Sequence, residues 1–270
     1  MIRFGAMNSP LRPIVSEIEA VAQLGFDYVE VTMDAPQAHH LILRERREHI
    51  VTALRDLGLG LVCHLPTFVS AADLTPALRE ASTAELLDSL ETARDMGAEK
   101  IVLHPAHGAG LGTRVPDLVR NYMMASLKTV LNRAGSMDLP VALENMPPGS
   151  LSLTEPEDFD AVLAQYPSLG MTLDLGHAHI RTTGEHRSLA FIKRHGTRIK
   201  HIHASDNRGR EDEHLPVGVG SVDFPLLMRA LEETGYDGTL TIEVFSPDRE
   251  YLKLSREKLA AFLDSAGPRS

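Results

Sequence analysis

Six side chains able to ligate a metal, His64, His104, Glu144, Asp174, His203 and Glu243, follow one another at intervals of 40, 40, 30, 29 and 40 residues. Each closes a short run of strand-forming residues; Val141-Ala142-Leu143 gives way to Glu144, and Leu240-Thr241-Ile242 to Glu243. A carboxylate in that position costs several kcal/mol at a dry site unless it is paired or ligated. His177 stands three residues after Asp174, and Asp212 and His214 lie in the stretch after His203. Imidazole nitrogens mixed with carboxylate oxygens suit Zn²⁺ or Mn²⁺, whereas an all-oxygen set suits Mg²⁺ or Ca²⁺. Nine ligands exceed the needs of one ion. The set therefore predicts between one and three divalent ions, with a carboxylate bridging two of them ~3.5–4 Å apart.

Residues so far apart in sequence need a scaffold that gathers them. Short apolar runs alternate with helical periods, such as Ile18, Val21, Ala22, Gly25 and Leu127, Val130, Leu131, Ala134, the pattern of repeated βα units. Eight strands are predicted: Ile2 to Met7, Tyr28 to Thr32, Leu59 to His64, Lys100 to His104, Val141 to Glu144, Met171 to Asp174, Ile199 to His203 and Thr239 to Val244. A helix ending in glycine followed closely by a strand recurs at Gly25, Gly97 and Gly235, where glycine can take the left-handed C′ conformation. Eight units in 270 residues, about 34 each, predict a single (β/α)₈ TIM barrel spanning 1–270. A doubly wound open sheet is the alternative, but Ala6-Met7-Asn8-Ser9-Pro10 stands where its glycine-rich phosphate loop would follow the first strand. In the barrel the C-terminal strand ends share one mouth, and all nine ligands are expected there.

Composition narrows the partners. With 37 Asp+Glu against 27 Lys+Arg the formal charge is -10, which gives no support for a broad nucleic-acid or membrane footprint. Cations held by the carboxylates would make the working charge less negative. No apolar stretch approaches a spanning helix and no secretory signal is visible, so a cytoplasmic location is expected; the single cysteine, Cys63, fits a reducing compartment. Cys63 precedes His64 and by strand alternation points away from it. Glu30, inside the second strand, either orients a ligand histidine or faces a Lys or Arg. His39 and His40 follow the same strand on a segment expected to be solvated; His107 and His179 are either supporting groups or surface residues. Gly218 and Gly220 would let the loop carrying Asp212 and His214 fold back over the mouth.

Ala142-Leu143-Glu144-Asn145, Leu173-Asp174-Leu175-Gly176-His177, His201-Ile202-His203-Ala204-Ser205-Asp206-Asn207 and Thr241-Ile242-Glu243 resemble the xylose isomerase-like TIM-barrel superfamily, which holds sugar isomerases and epimerases and the endonuclease IV nucleases. The likeness runs from Phe26-Asp27-Tyr28-Val29-Glu30 to Glu243. In the epimerase branch one divalent ion is held by a Glu, Asp, His, Glu set, matched here by Glu144, Asp174, His203 and Glu243. The resemblance implies that Glu144 and Glu243 are also the catalytic acid/base pair, acting on a small-molecule sugar or sugar phosphate. In the endonuclease IV branch those positions are joined by two histidines, a His after the Asp and an Asp-x-His pair. His64, His104, His177, Asp212 and His214 match all five, implying three zinc ions and phosphodiester hydrolysis, with DNA as partner under that alternative only. Three departures weigh against DNA. Cys63-His64-Leu65-Pro66-Thr67-Phe68 lacks the nuclease's Ser-Pro-Tyr sequence, Met146-Pro147-Pro148 replaces its continuation after Glu-Asn, and few Lys, Arg or aromatic residues serve the mouth. A metal- or sugar-binding barrel without catalysis is the third reading.

Overall fold

The structure, a computed structural model, describes residues 1–108, 110–150, 152–182 and 186–264. Its strands are β1 (Arg3–Met7), β2 (Tyr28–Thr32), β3 (Gly60–His64), β4 (Lys100–Leu103), β5 (Val141–Glu144), β6 (Gly170–Asp174), β7 (Ile199–Ala204) and β8 (Thr239–Ile242). Each pairs in parallel with the next, and β8 returns to β1 with Arg3 opposite Thr239 and Ala6 opposite Ile242, so the sheet is a closed barrel and not the open alternative. Around it lie α1 (Ile14–Gln23), α2 (His40–Glu45), α3 (Arg47–Leu57), α4 (Pro76–Met96), α5 (Pro116–Gly135), α6 (Asp158–Gln165), α7 (Leu175–His179), α8 (Arg187–His195), α9 (Phe224–Glu233) and α10 (Glu250–Asp264). Among the described residues, no helix is long and apolar enough to cross a membrane.

Strand alternation divides the side chains into two populations. Val29, Val31, Leu61, Cys63, Ile101, Leu143, Leu173, Ile202 and Leu240 face outward and pack with the helices in the main core. Tyr28, Val62 and Val102 form a separate, smaller apolar cluster inside the barrel. The tyrosine ring lies where a side chain on Gly5 would stand, since a Cβ there would be 2.2 Å from Tyr28 Cε2, so β1 needs glycine to admit it. Tyr28 Oη is 2.8 Å from Thr241 Oγ1, and below them Lys100 Nζ donates to Thr239 Oγ1 at 2.9 Å and to the Lys200 carbonyl at 2.7 Å. The interior is therefore polar at its floor and, through Glu30, at its middle.

The repeated glycines behave as expected, with φ of +77° at Gly25, +83° at Gly97 and +75° at Gly235; Gly58, ending α3, makes a fourth at +68°. Six strand bounds differ from the sequence reading by one or two residues, and two of these bear on the site. β4 stops at Leu103 and β8 at Ile242, so His104 and Glu243 stand one residue beyond their strands. Released from the ladder, both retain the inward orientation that alternation assigns them.

Candidate metal centre

The nine proposed ligands converge at the C-terminal mouth. His203 Nδ1 is the hub of a first group, 3.2 Å from Glu144 Oε1, 3.3 Å from Glu243 Oε2 and 3.8 Å from Asp174 Oδ2. The other oxygen of Glu144, Oε2, faces a second group, 3.2 Å from His104 Nε2 and 3.4 Å from His64 Nε2. Asp212 Oδ2 joins a third, 3.1 Å from His177 Nε2 and 3.0 Å from His214 Nε2. Glu144 is thus shared between two groups, its Oε1 facing His203 and its Oε2 facing His104.

The ring partners fix which nitrogen of four histidines is left for the site. A carbonyl oxygen can only accept, so the proton must sit on the nitrogen facing it. His64 Nδ1 faces the Leu65 carbonyl at 2.8 Å, His177 Nδ1 that of Asn145 at 2.9 Å and His214 Nδ1 that of Glu243 at 3.1 Å. In each neutral ring Nε2 is then the nitrogen that faces the mouth and is available as a ligand. His203 is reversed: Nε2 lies 2.9 Å from Glu30 Oε1, which leaves Nδ1 for the first group. This is how ligating histidines are oriented in metal proteins.

Two buried oxygens, Glu144 Oε2 and Asp174 Oδ2, have no hydrogen-bond partner. An unpaired buried carboxylate oxygen is costly, and here both point among imidazole nitrogens. The donor set and these orphaned oxygens fit a divalent cation. Electrostatics agrees. Burial alone raises the Glu144 carboxyl, yet His203 and His104 outweigh it and hold the group well below the usual range. Burial and then the Glu144, Glu243 and Asp212 carboxylates push Asp174 up to about 7 against the pull of His177. Burial lowers His214, but Asp212 and Glu243 carry it up to about 9. Four crowded carboxylates hold surplus protons on their neighbours, the response of a site built around positive charge.

Supporting residues were only partly readable beforehand. Glu30, fully buried, orients His203 and also accepts from His201 Nε2 at 2.9 Å and from the Thr241 hydroxyl. His201 turns its Nδ1 to Thr239 Oγ1 at 2.6 Å. The clue to His201 was its place two residues before His203, on the same strand face. Asn145 ties the ends of β5 and β6 together: its Oδ1 accepts the Asp174 N–H at 2.8 Å and its Nδ2 donates to the Asp174 carbonyl at 3.1 Å. Asp174 caps α7 by accepting the His177 N–H at 2.6 Å. That local bond explains the three-residue spacing of the pair.

The loop after β7 is held from below by Asp206, which is completely buried. Its Oδ1 accepts the N–H groups of Asn207 and Val222, at 2.9 and 3.1 Å, and Oδ2 those of Gly218 and Gly220, at 2.8 and 2.9 Å. Gly220 is needed because a Cβ would come within 2.3 Å of Asp206 Oδ1. The loop so pinned carries Asp212 and His214, and His214 itself has φ of +46°, a strained conformation for a non-glycine residue. Replacing Asp206 by Ala strands the buried amides of Asn207 and Val222 and the partly buried ones of Gly218 and Gly220, and a loss of roughly 3–5 kcal/mol is expected. A thermal scan should fall by about 6–15 °C. Elemental analysis should lose the ion of the Asp212 group; full metal content in the variant would show that Asp206 does not set this loop.

Cys63 is buried in the outer layer and raised by that burial, with Glu30 adding to it, so its thiol is inert packing. His179 turns its Nε2 to Ser221 Oγ at 2.8 Å, and His107 lines a separate small pocket with Pro66 and Val130. His40 departs from expectation: it is 4% exposed because α2 presses it against α4. Above the ligands opens a cavity of about 740 Å³ whose walls include Asn8, Arg12, Asp34, Phe68 and Phe245. Arg249 at its rim is paired with Glu17, and Arg208 on the loop after β7 lies 2.5 Å from Glu213, so neither is a free cation for a phosphate backbone.

Residues 18–265 match the family described as xylose isomerase-like TIM barrel. An uncharacterized protein of Methanocaldococcus jannaschii is 28% identical over 283 residues, spanning 96% of this chain and 92% of its own. A probable endonuclease 4 of Mycobacterium tuberculosis is 25% identical over 240 residues, 86% of this chain and 89% of its own. The crystal structure of a D-tagatose 3-epimerase-like protein superposes with a TM-score of 0.87 at 25% identity, covering 98% of both chains.

Proposed function

The chain belongs to the xylose isomerase-like TIM-barrel family, and on that premise we propose that it is a metal-dependent isomerase or epimerase of a small sugar or sugar phosphate. The observation that carries this reading is the placement of Glu144 and Glu243 on one histidine nitrogen, beneath a cavity of about 740 Å³, ample for a monosaccharide. Because both oxygens lie within 3.3 Å of His203 Nδ1, they are at most about 6.5 Å from each other, close enough to act on one carbon centre. Glu144, Asp174, His203 and Glu243 would hold a Zn²⁺ or Mn²⁺ ion, which when bound polarises carbonyl and hydroxyl oxygens.

The chain's own groups then move the proton. His203 and His104 keep Glu144 ionised, so its unpartnered Oε2 is a base able to take a proton α to a carbonyl. Glu243, facing the cavity, delivers a proton of its own to the carbon after taking one up from solvent, so each turnover leaves Glu144 protonated and Glu243 ionised until exchange with water resets the pair. Phe68 and Phe245 on the cavity wall offer apolar surface to the C–H face of a sugar.

Phosphodiester hydrolysis of the endonuclease IV type is the second reading, favoured by the second and third groups: isomerisation has no evident use for His64, His104, His177, Asp212 and His214 as ligands. One pair of assays separates the two. Wild type and His214→Ala are assayed for solvent deuterium incorporation into ketose and aldose substrates and for nicking of an abasic-site duplex. Deuterium uptake that persists in His214→Ala and vanishes in Glu243→Gln is expected. Phosphoester cleavage by wild type that drops by orders of magnitude in His214→Ala would replace the isomerase with a hydrolase.

A further inference from the structure

We propose that His39, His40 and Glu85 form a peripheral zinc site, separate from the mouth, that ties the segment after β2 to α4. The inference rests on these residues alone and is independent of the reaction assigned to the mouth. His39 is the N-cap of α2, His40 its first residue, and Glu85 lies midway along α4. His39 Nε2 is 2.9 Å from Glu85 Oε1, and His40 Nε2 is 3.4 Å from Glu85 Oε2. One donor atom from each of the three residues lies within 4.8 Å of the others. Donors bound at ~2.0–2.1 Å to a tetrahedral zinc stand ~3.3 Å apart, so a small inward adjustment suffices.

Three details distinguish this cluster from an ordinary ion pair. Glu85 Oε1 is buried yet makes no hydrogen bond, although His39 Nε2 is only 2.9 Å away. At that distance the failure is one of alignment: the two atoms do not point at each other, as two donors aimed at a third point would not. His40 is buried with its Nδ1 unpartnered, so whichever tautomer it adopts, one ring nitrogen has an unused valence. Lastly, Arg44, the nearest strong cation, is drawn to Asp88 at 3.4 Å and Glu91 at 3.9 Å, which leaves Glu85 to the histidines.

Two imidazoles and a glutamate are a known zinc donor set with a fourth position open to water. The His39 and Glu85 side chains are 30% and 24% exposed, which gives an ion a path and water that position. Binding has one local cost. His39 Nδ1 now accepts the Leu41 N–H at 3.3 Å; zinc on Nε2 moves the ring proton to Nδ1 and releases that amide. The segment so fixed contains Asp34, whose carboxylate accepts the Thr67 N–H at 3.0 Å and the Thr32 hydroxyl at 2.6 Å on the cavity wall.

The test counts ions in full-length protein. Apo wild type, Glu85→Gln, His39→Ala/Glu85→Gln and a mouth variant, His203→Ala, are each equilibrated with Zn²⁺, freed of excess and analysed for metal. The expected result is one ion per chain fewer in both Glu85 variants, with an ion that survives in His203→Ala and is lost when Glu85→Gln is added to it. In wild type the Leu41 amide resonance should shift on zinc addition, and in Glu85→Gln it should not. Glu85→Gln is isosteric at a side chain only 24% exposed, so folding is expected to be preserved and is checked by circular dichroism. Equal zinc content in wild type and Glu85→Gln, or a Leu41 resonance indifferent to zinc, would overturn the proposal and leave an ion pair.

Discussion

Replacing Glu144 by Gln is expected to remove at least one metal ion per chain and to lower turnover about 10³-fold, within the range general acid–base groups supply. The substitution keeps shape and volume, so what it isolates is charge. Glu144 meets His203 with Oε1 and His64 and His104 with Oε2, so its two oxygens link the first group to the second. A neutral amide cannot bridge two cations, and its NH₂ would turn a donor toward nitrogens that must themselves donate lone pairs. Metal analysis of the purified variant, before and after incubation with Zn²⁺ or Mn²⁺, reads the outcome. A variant that retains the wild-type complement would remove the bridging role.

Glu30→Gln is expected to weaken zinc binding by about 10- to 100-fold although Glu30 touches none of the ligands' metal-facing atoms. Its carboxylate accepts from His203 Nε2 and His201 Nε2, both at 2.9 Å, and from the Thr241 hydroxyl, in a place with no access to solvent. Burial raises Glu30, but His203 and His201 draw it well below the usual carboxylate range. With that charge gone, His203 loses the partner that fixes its tautomer and strengthens its Nδ1 as a ligand. A stability loss of roughly 3–5 kcal/mol should accompany the change, since one member of a buried charged network is neutralised. The distinguishing readout is activity against free zinc: a positioning role shifts the curve to higher zinc while the plateau recovers. A lower melting temperature with an unmoved zinc curve would make Glu30 a structural residue only.

The barrel was legible because parallel strands buried on both faces leave apolar runs, and because helix-ending glycines such as Gly25 and Gly97 punctuate each unit. The nine mouth residues were legible for a related reason: an ionisable side chain at the end of such a run has no place in a dry core. Their supports were less so. His201, Thr241 and Tyr28 occupy the middle of the barrel, where the sequence alternates polar and apolar residues as a solvated strand would, and only closure turns that inner face into an interior. Asp206 reads as a turn residue until the glycines 12 and 14 residues later fold back onto it. His40 ends the Ala38-His39-His40 stretch, which has no apolar period, and its burial depends on α4, more than 30 residues away. In each case the deciding contact is long in sequence and invisible to local pattern.

Closure of the barrel between β8 and β1 also sets when in the life of a chain the centre can exist. The pairing of β8 with β7 brings Glu243 beside His203, but the mouth is walled on every side only when Thr239–Ile242 has also paired with Arg3–Ala6, a contact spanning more than 230 residues. A ribosome that has released everything up to β7 has made six of the nine ligands, the loop after β7 adds Asp212 and His214, and still the last wall of the mouth is absent. Joining ends so distant in sequence is among the slower steps available to a fold of this kind. A nascent or prematurely stopped chain therefore offers the cell's metal pool only an incomplete set of donors, and the finished centre certifies that synthesis has run to its eighth strand.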